Sequence, residues 1–169
     1  MSAMRARELI DALRLQPHPE GGWYAEVFRS AAGVLPADGR GARSALTSIY
    51  FLLEAGQHSR WHRVLSDEVW VHLEGVPLAL WTCDAAMRTA PAHLRLGPID
   101  AHGTRPQHVV PAGQWQAAQP IQSHTQGDYT LVACMVGPGF DFADFSLVAP
   151  DSDEAAAMRH HWPELARML

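Results

Sequence analysis

Apolar residues recur along this chain in two rhythms, and the change from one to the other marks its organisation. Ala6, Leu9, Ile10 and Leu13 are spaced as on one face of a helix, which predicts a short amphipathic helix over 4–15, ended by the Pro17-His18-Pro19 turn. Residues 23–29 read as a strand. The Gly-, Pro- and Asp-rich stretch from Gly33 to Gly41 that follows is expected to be the disordered part of the chain. Short apolar runs at 45–53, 60–65, 68–73, 77–83, 92–95, 107–111, 114–118, 129–136 and 140–148 then alternate with turn residues. No stretch between them is long enough for a crossover helix, so the pattern predicts an antiparallel sandwich or barrel. Asp151-Ser152-Asp153 offers an N-cap to an Ala-rich helix that ends near Trp162-Pro163. The chain therefore reads as one mostly β domain over 1–169, with an N-terminal helix within 1–16, a barrel over 17–150 and a helical tail over 151–169.

Composition narrows the classes. With 47% apolar and 18% charged residues, the sequence suits a packed globule rather than a disordered chain. A net charge of −5 without a Lys/Arg stripe disfavours nucleic acid polymers and anionic membrane surfaces as partners. No apolar run approaches the roughly 18 residues of a spanning helix, and the first residues lack the apolar core of a secretory signal, so a cytoplasmic location is expected. Cys83 and Cys134 lie in apolar stretches and read as buried thiols.

Candidate chemistry concentrates between Gly56 and Gly75. By strand alternation Arg60, His62 and Val64 share a face; after a turn at Ser66-Asp67, Glu68, Trp70 and His72 share one too. His62 and Glu68 are expected to meet across this hairpin, with Trp70 beside them as a stacking surface and Arg60 as a ligand contact. Trp61 and Trp115, at the other parity, should face outward into packing or a dimer contact. His72 stands roughly 13 Å along the strand from Glu68 and reads as a rim residue. If the face bearing Ser48, Tyr50 and Leu52 is internal, the Tyr50 phenol becomes a candidate acid. His93, His102, His108, His124, His160 and His161 show no ligand spacing and read as surface or loop residues.

The Gly56–Gly75 segment resembles the first signature of the cupin superfamily, a Gly, a His-x-His pair, a Glu and a closing Gly, with Val64 where the second His belongs. Pro111-Ala112-Gly113-Gln114-Trp115-Gln116 resembles the second signature, with Gln116 in place of its metal-ligating His. Together with Pro17-His18-Pro19-Glu20-Gly21-Gly22-Trp23-Tyr24 and Pro138-Gly139-Phe140-Asp141-Phe142-Ala143-Asp144-Phe145, these motifs run in order over almost the whole chain. They resemble cupin family 5, an uncharacterised group formerly called a domain of unknown function. The resemblance implies an antiparallel jelly-roll barrel (a double-stranded β-helix), a homodimer and a ligand-sized cavity, with no assigned reaction. The family's shape is likened to sugar-nucleotide epimerases and seed storage proteins. It also suggests Glu20 as a ligand contact and leaves Phe142 as a cavity wall, although the Phe140-Asp141-Phe142 alternation itself reads as a half-buried strand.

With two ligand positions changed, a metal site is reduced to His62, Glu68 and the neutral, weak ligand Gln116. No cofactor is expected to be required, and a weakly bound divalent metal is the alternative. A His beside a carboxylate suits proton abstraction next to a carbonyl. The leading expectation is thus a small-molecule-binding, metal-independent epimerase or isomerase of a sugar-like or carbonyl metabolite. In it His62 acts as base, Glu68 orients it, and Gln116 and Tyr50 bond the ligand. A non-catalytic metabolite- or nucleotide-binding dimer is the second reading, and a metal-dependent oxygenase the third.

Overall fold

The computed structural model describes residues 2–121 and 127–169, so His124 lies outside the described residues. Helix α1 (Ser2–Ala12) is followed by strands β1 (Gln16–Pro17), β2 (Trp23–Arg29), β3 (Gly33–Val34), β4 (Arg43–Ser44) and β5 (Thr47–Glu54). Next come β6 (Ser59–Val64), β7 (Asp67–Gly75), β8 (Leu78–Cys83), β9 (Ala92–Leu96) and β10 (Gln107–Val110). The chain continues through β11 (Trp115–Pro120), β12 (Tyr129–Gly137), β13 (Phe145–Leu147) and helix α2 (Asp153–His161). One sheet is ordered β1-β2-β5-β12-β7-β10 and the facing one β13-β6-β11-β8-β9, with every pairing between these strands antiparallel. This is the predicted barrel.

Two stretches depart from the pattern read in the sequence. Residues 140–148 were expected as one strand, but Phe142–Asp144 form a 3₁₀ turn before β13. Asp141 causes this: its side chain accepts from Ala143 N at 2.8 Å and its carbonyl from Asp144 N at 2.9 Å, bending the backbone out of the extended form. The loop after Gly33 is also structured, since β3 and β4 form a hairpin of their own. Asp144 ties that hairpin to the 3₁₀ turn by accepting two bonds from Arg43, at 2.8 and 2.7 Å, and one from Arg40 at 3.2 Å.

Each sheet is sealed on its outer face by a terminal helix. Ala6, Leu9 and Ile10 of α1 pack on Leu52, Tyr129 and Leu131 of the first sheet. On the second sheet, Met158 of α2 with Leu165 and Met168 covers Trp61, Trp115 and Ala117, and Trp61 Nε1 donates to Leu165 O at 3.0 Å. Helix α2 starts where Ser152 accepts from Ala155 N at 3.2 Å, the N-cap its sequence offers. Between the sheets, Phe51, Leu53, Trp70, Leu78, Leu80 and Leu96 fill one end of the barrel. The other end holds a cavity. Among the described residues no helix is long and apolar enough to cross a membrane.

Candidate acid–base site in the barrel

Strand β6 carries the first elements of the site because it is not regular. His62 pairs with Gln116 and Ser59 with Ala118, so Arg60 and Trp61 together stand opposite Ala117 alone. This β-bulge resets the alternation, and Ser59 and His62, three apart, both turn inward. The inward place expected for Arg60 thus belongs to Ser59, and Arg60 does not line the cavity. The bulge instead frees the main chain of Arg60: its N–H donates to Glu20 O at 2.7 Å, and its carbonyl lies 2.7 Å from His62 Nδ1. A carbonyl only accepts, so Nδ1 carries the hydrogen and Nε2 keeps a lone pair.

Glu20 meets that lone pair. Its turn closes tightly on the start of β6: Gly21 has φ +108°, and a Cβ there would collide with the His58 carbonyl. Glu20 Oε2 then lies 3.1 Å from His62 Nε2 and 3.6 Å from His18 Nδ1, while Oε1 accepts from Ser59 Oγ at 3.1 Å. Burial pushes the Glu20 carboxyl up to about 8, against a smaller opposing effect of the Ser59 hydroxyl. Burial also lowers His62, opposed by the Glu68 charge and the Arg60 carbonyl, and burial next to His62 pushes His18 down to about 4. At neutral pH, Glu20 is therefore protonated and donates to a neutral His62. The contact is a neutral hydrogen bond rather than an ion pair.

Glu68 faces this pair from the other sheet. Strands β6 and β7 are consecutive but lie in different sheets, so His62 and Glu68 do not meet across a hairpin as expected. They confront each other across the interior without a hydrogen bond between them, and the carboxyl bonded to His62 is that of Glu20. Burial, with Glu20 adding to it, pushes Glu68 up to about 7, opposed by His62, Gln116 and the Cys134 thiol. Glu68 Oε2 accepts from Gln116 Nε2 at 2.6 Å, and Gln116 Oε1 accepts from Trp70 Nε1 at 2.9 Å. An indole N–H can only donate, so Gln116 must turn its oxygen to Trp70 and its amide hydrogens to Glu68.

That orientation bears on the metal set read from the sequence. Gln116 turns its oxygen to Trp70 and its amide hydrogens, which cannot ligate a metal, to Glu68, and Val64 supplies no donor. Among the described residues no group of three or more His, Cys, Asp or Glu is arranged to hold a metal ion. The residues present do not fit the metal centre of the full signature. Trp70 and Gln116 also stand behind Glu68 rather than on the cavity wall. The stacking role expected of Trp70 is corrected on that ground: its ring is spent on the core.

The cavity measures about 630 Å³. Glu20, His62, Glu68 and Cys134 lie on its wall with His18 and Val64, and Phe51, Phe142 and Phe145 enclose them. Phe142 is half exposed on the 3₁₀ turn and stacks on His18 at 6.1 Å between ring centres. Tyr50 is elsewhere. Ile49 and Phe51 face inward, so Tyr50 points out onto the cluster beneath α1, and its proposed role as acid is corrected by strand parity. His18 and Ser59 were missed. His18 stood in view within the Pro17–Tyr24 motif, whereas no side-chain pattern announces the bulge that turns Ser59 inward.

The family profile described as "Cupin superfamily (DUF985)" matches residues 7–148. Similar solved structures include an X-ray structure of a protein from Shewanella oneidensis, 33% identical, covering 96% of this chain and 92% of that one with a TM-score of 0.78. A hypothetical protein from Leishmania major is 32% identical over 97% of both chains, with a TM-score of 0.81. An uncharacterized protein with a double-stranded β-helix domain from Klebsiella pneumoniae shares the fold at 14% identity, 83% and 94% coverage and a TM-score of 0.51. No functionally curated protein matches the chain.

Proposed function

The chain belongs to the cupin superfamily, in the family described as DUF985, and on that premise we propose that it is an epimerase or isomerase. It moves a proton at a carbon beside a carbonyl in a small polar, sugar-sized metabolite, through its own side chains. The observation that carries this reading is the burial of Glu20, His62 and Glu68 on the wall of one cavity, with the two carboxyls pushed up to about 8 and about 7. Acids and bases that titrate near the working pH transfer protons most effectively, and separated values assign the roles.

Glu68, partly ionised at neutral pH, takes the proton from carbon. The electron pair left on that carbon moves onto the carbonyl oxygen, and Glu20 delivers its proton there, directly or through His62 Nε2. Return of the proton by Glu68 to the opposite side of the same carbon, once the planar enol has turned over in the cavity, gives the epimer, and return to its neighbour gives the isomer; in either case an enol hydroxyl gives its hydrogen back to Glu20. Relative to the sequence reading, His62 becomes the holder of Glu20's proton and Glu68 the base. A cavity of about 630 Å³ suits such a ligand, since small-molecule sites span roughly 300–1,000 Å³.

Incubation with small keto compounds and sugar nucleotides in deuterated water tests the reading. Deuterium should enter at the carbon beside the carbonyl, and uptake should collapse in Glu68→Gln. Equal uptake in wild type and that variant counts against it. Thermal stabilisation by a compound that never exchanges selects the binding module without turnover. The homodimer is retained as the proposed assembly, supported by the open sheet edges at β1, β10 and β13, which a second copy could cover, and light scattering tests it.

A further inference from the structure

One cation on the cavity wall is left without a partner. The cavity runs from Glu20 and Glu68 past β2 to the end of α1, where Leu13, Arg14 and Gln16 line it. Arg29, also on the wall, is engaged: it donates to both oxygens of Glu26 at 2.9 and 2.8 Å and to Phe140 O at 3.0 Å. Arg14 is exposed at the mouth of the cavity, and among the described residues its guanidinium makes neither a hydrogen bond nor an ion pair.

Arg14 also holds a backbone conformation that arginine avoids, φ +53°. Leu15 N–H donates to Ile10 O at 2.9 Å and Arg14 N–H to Asp11 O at 3.3 Å, the pair of bonds that closes a helix in a Schellman motif. The left-handed position of that motif is the one glycine usually fills. Glycine there would serve the helix end better, so the side chain, not the backbone, accounts for an arginine. A residue held in an unfavourable conformation on the wall of a site points to a task for its side chain.

We propose that Arg14 binds a carboxylate or phosphate group, so that the cavity takes an anionic metabolite with its charged end at α1 and its carbonyl end toward Glu68. Only the placement of the carbonyl end rests on the proton-transfer reading. The opposite orientation would press the anion against Glu20 and Glu68, where among the described residues the basic groups on the wall are His18 and His62, both kept neutral at neutral pH by burial.

Calorimetric titration with matched probes tests the assignment: fructose 6-phosphate against fructose, and 2-oxobutanoate against butanone. Wild type should prefer the charged member of each pair at least tenfold, with a preference that shrinks as salt is added. Arg14→Gly should lose the preference while melting higher than wild type, and Arg14→Lys should keep part of it. No charge preference in wild type, or an undiminished one in Arg14→Gly, overturns the proposal. A charge preference without deuterium uptake supports the anion site and counts against the proton-transfer reading; uptake without charge preference does the reverse.

Discussion

Trp70 Nε1 donates to Gln116 Oε1 over 2.9 Å inside the barrel, and that bond decides which end of Gln116 meets Glu68. Trp70→Phe deletes the donor and leaves a buried amide oxygen unpaired, which costs about 1–3 kcal/mol. Released, Gln116 can turn its oxygen to Glu68 and favour the protonated carboxyl. Urea denaturation should show the loss, and the pH dependence of deuterium uptake should move upward. An unshifted pH dependence would mean that Trp70 serves packing alone.

Stability should fall as the solution is made alkaline. Glu20 goes from an ordinary value of 4.5 to about 8 on folding, so the folded protein binds the extra proton, and the stabilisation is lost as pH rises toward 8. The lowered His18 and His62 act in the opposite sense, but only below 6.5. Between 6.5 and 8 the carboxyls act alone, and the melting temperature should decline. Glu20→Gln keeps a donor for His62 Nε2 and should make the decline between pH 7 and 8 shallower, leaving only the part that Glu68 contributes. Parallel curves for the two proteins would show that Glu20 is not the group responsible.

Deuterium uptake should follow a bell-shaped pH profile. Its ascending limb belongs to ionisation of Glu68 near 7, its descending limb to loss of the Glu20 proton near 8. Glu68→Gln should lower the rate by about 10²–10⁴-fold. A profile that is flat from pH 6 to 9 would assign the chemistry to other groups.

Trp61→Ala should cost about 3–5 kcal/mol, because it opens a hole beneath the C-terminal helices. It also orphans the Leu165 carbonyl that the indole now satisfies. Denaturant midpoints measure the loss, and a change below about 1 kcal/mol would mean that the tail is not anchored by this residue.

The strands were legible because they alternate and are punctuated by turns, and His62, Glu68 and Gln116 because their spacing matches a known signature. What escaped the sequence is physical in each case. Tyr50 was placed by a parity that needed one more fact, which face Ile49 and Phe51 bury. Arg60 was placed by an alternation that the bulge interrupts. Glu20 came from the resemblance alone, and its partnership with His62 depends on a turn some forty residues away in sequence. Arg14 carries no motif; it becomes visible only through its backbone angle and the cavity beside it.

The bulge at Arg60 separates what a position encodes from what it contributes. Its amide holds Glu20 in place and its carbonyl sets the tautomer of His62, while its side chain takes no part in the wall. A scan of alanine substitutions would pass over it as silent, since alanine preserves both peptide groups. Proline, by removing one hydrogen, would loosen Glu20 from a residue whose side chain does not line the cavity.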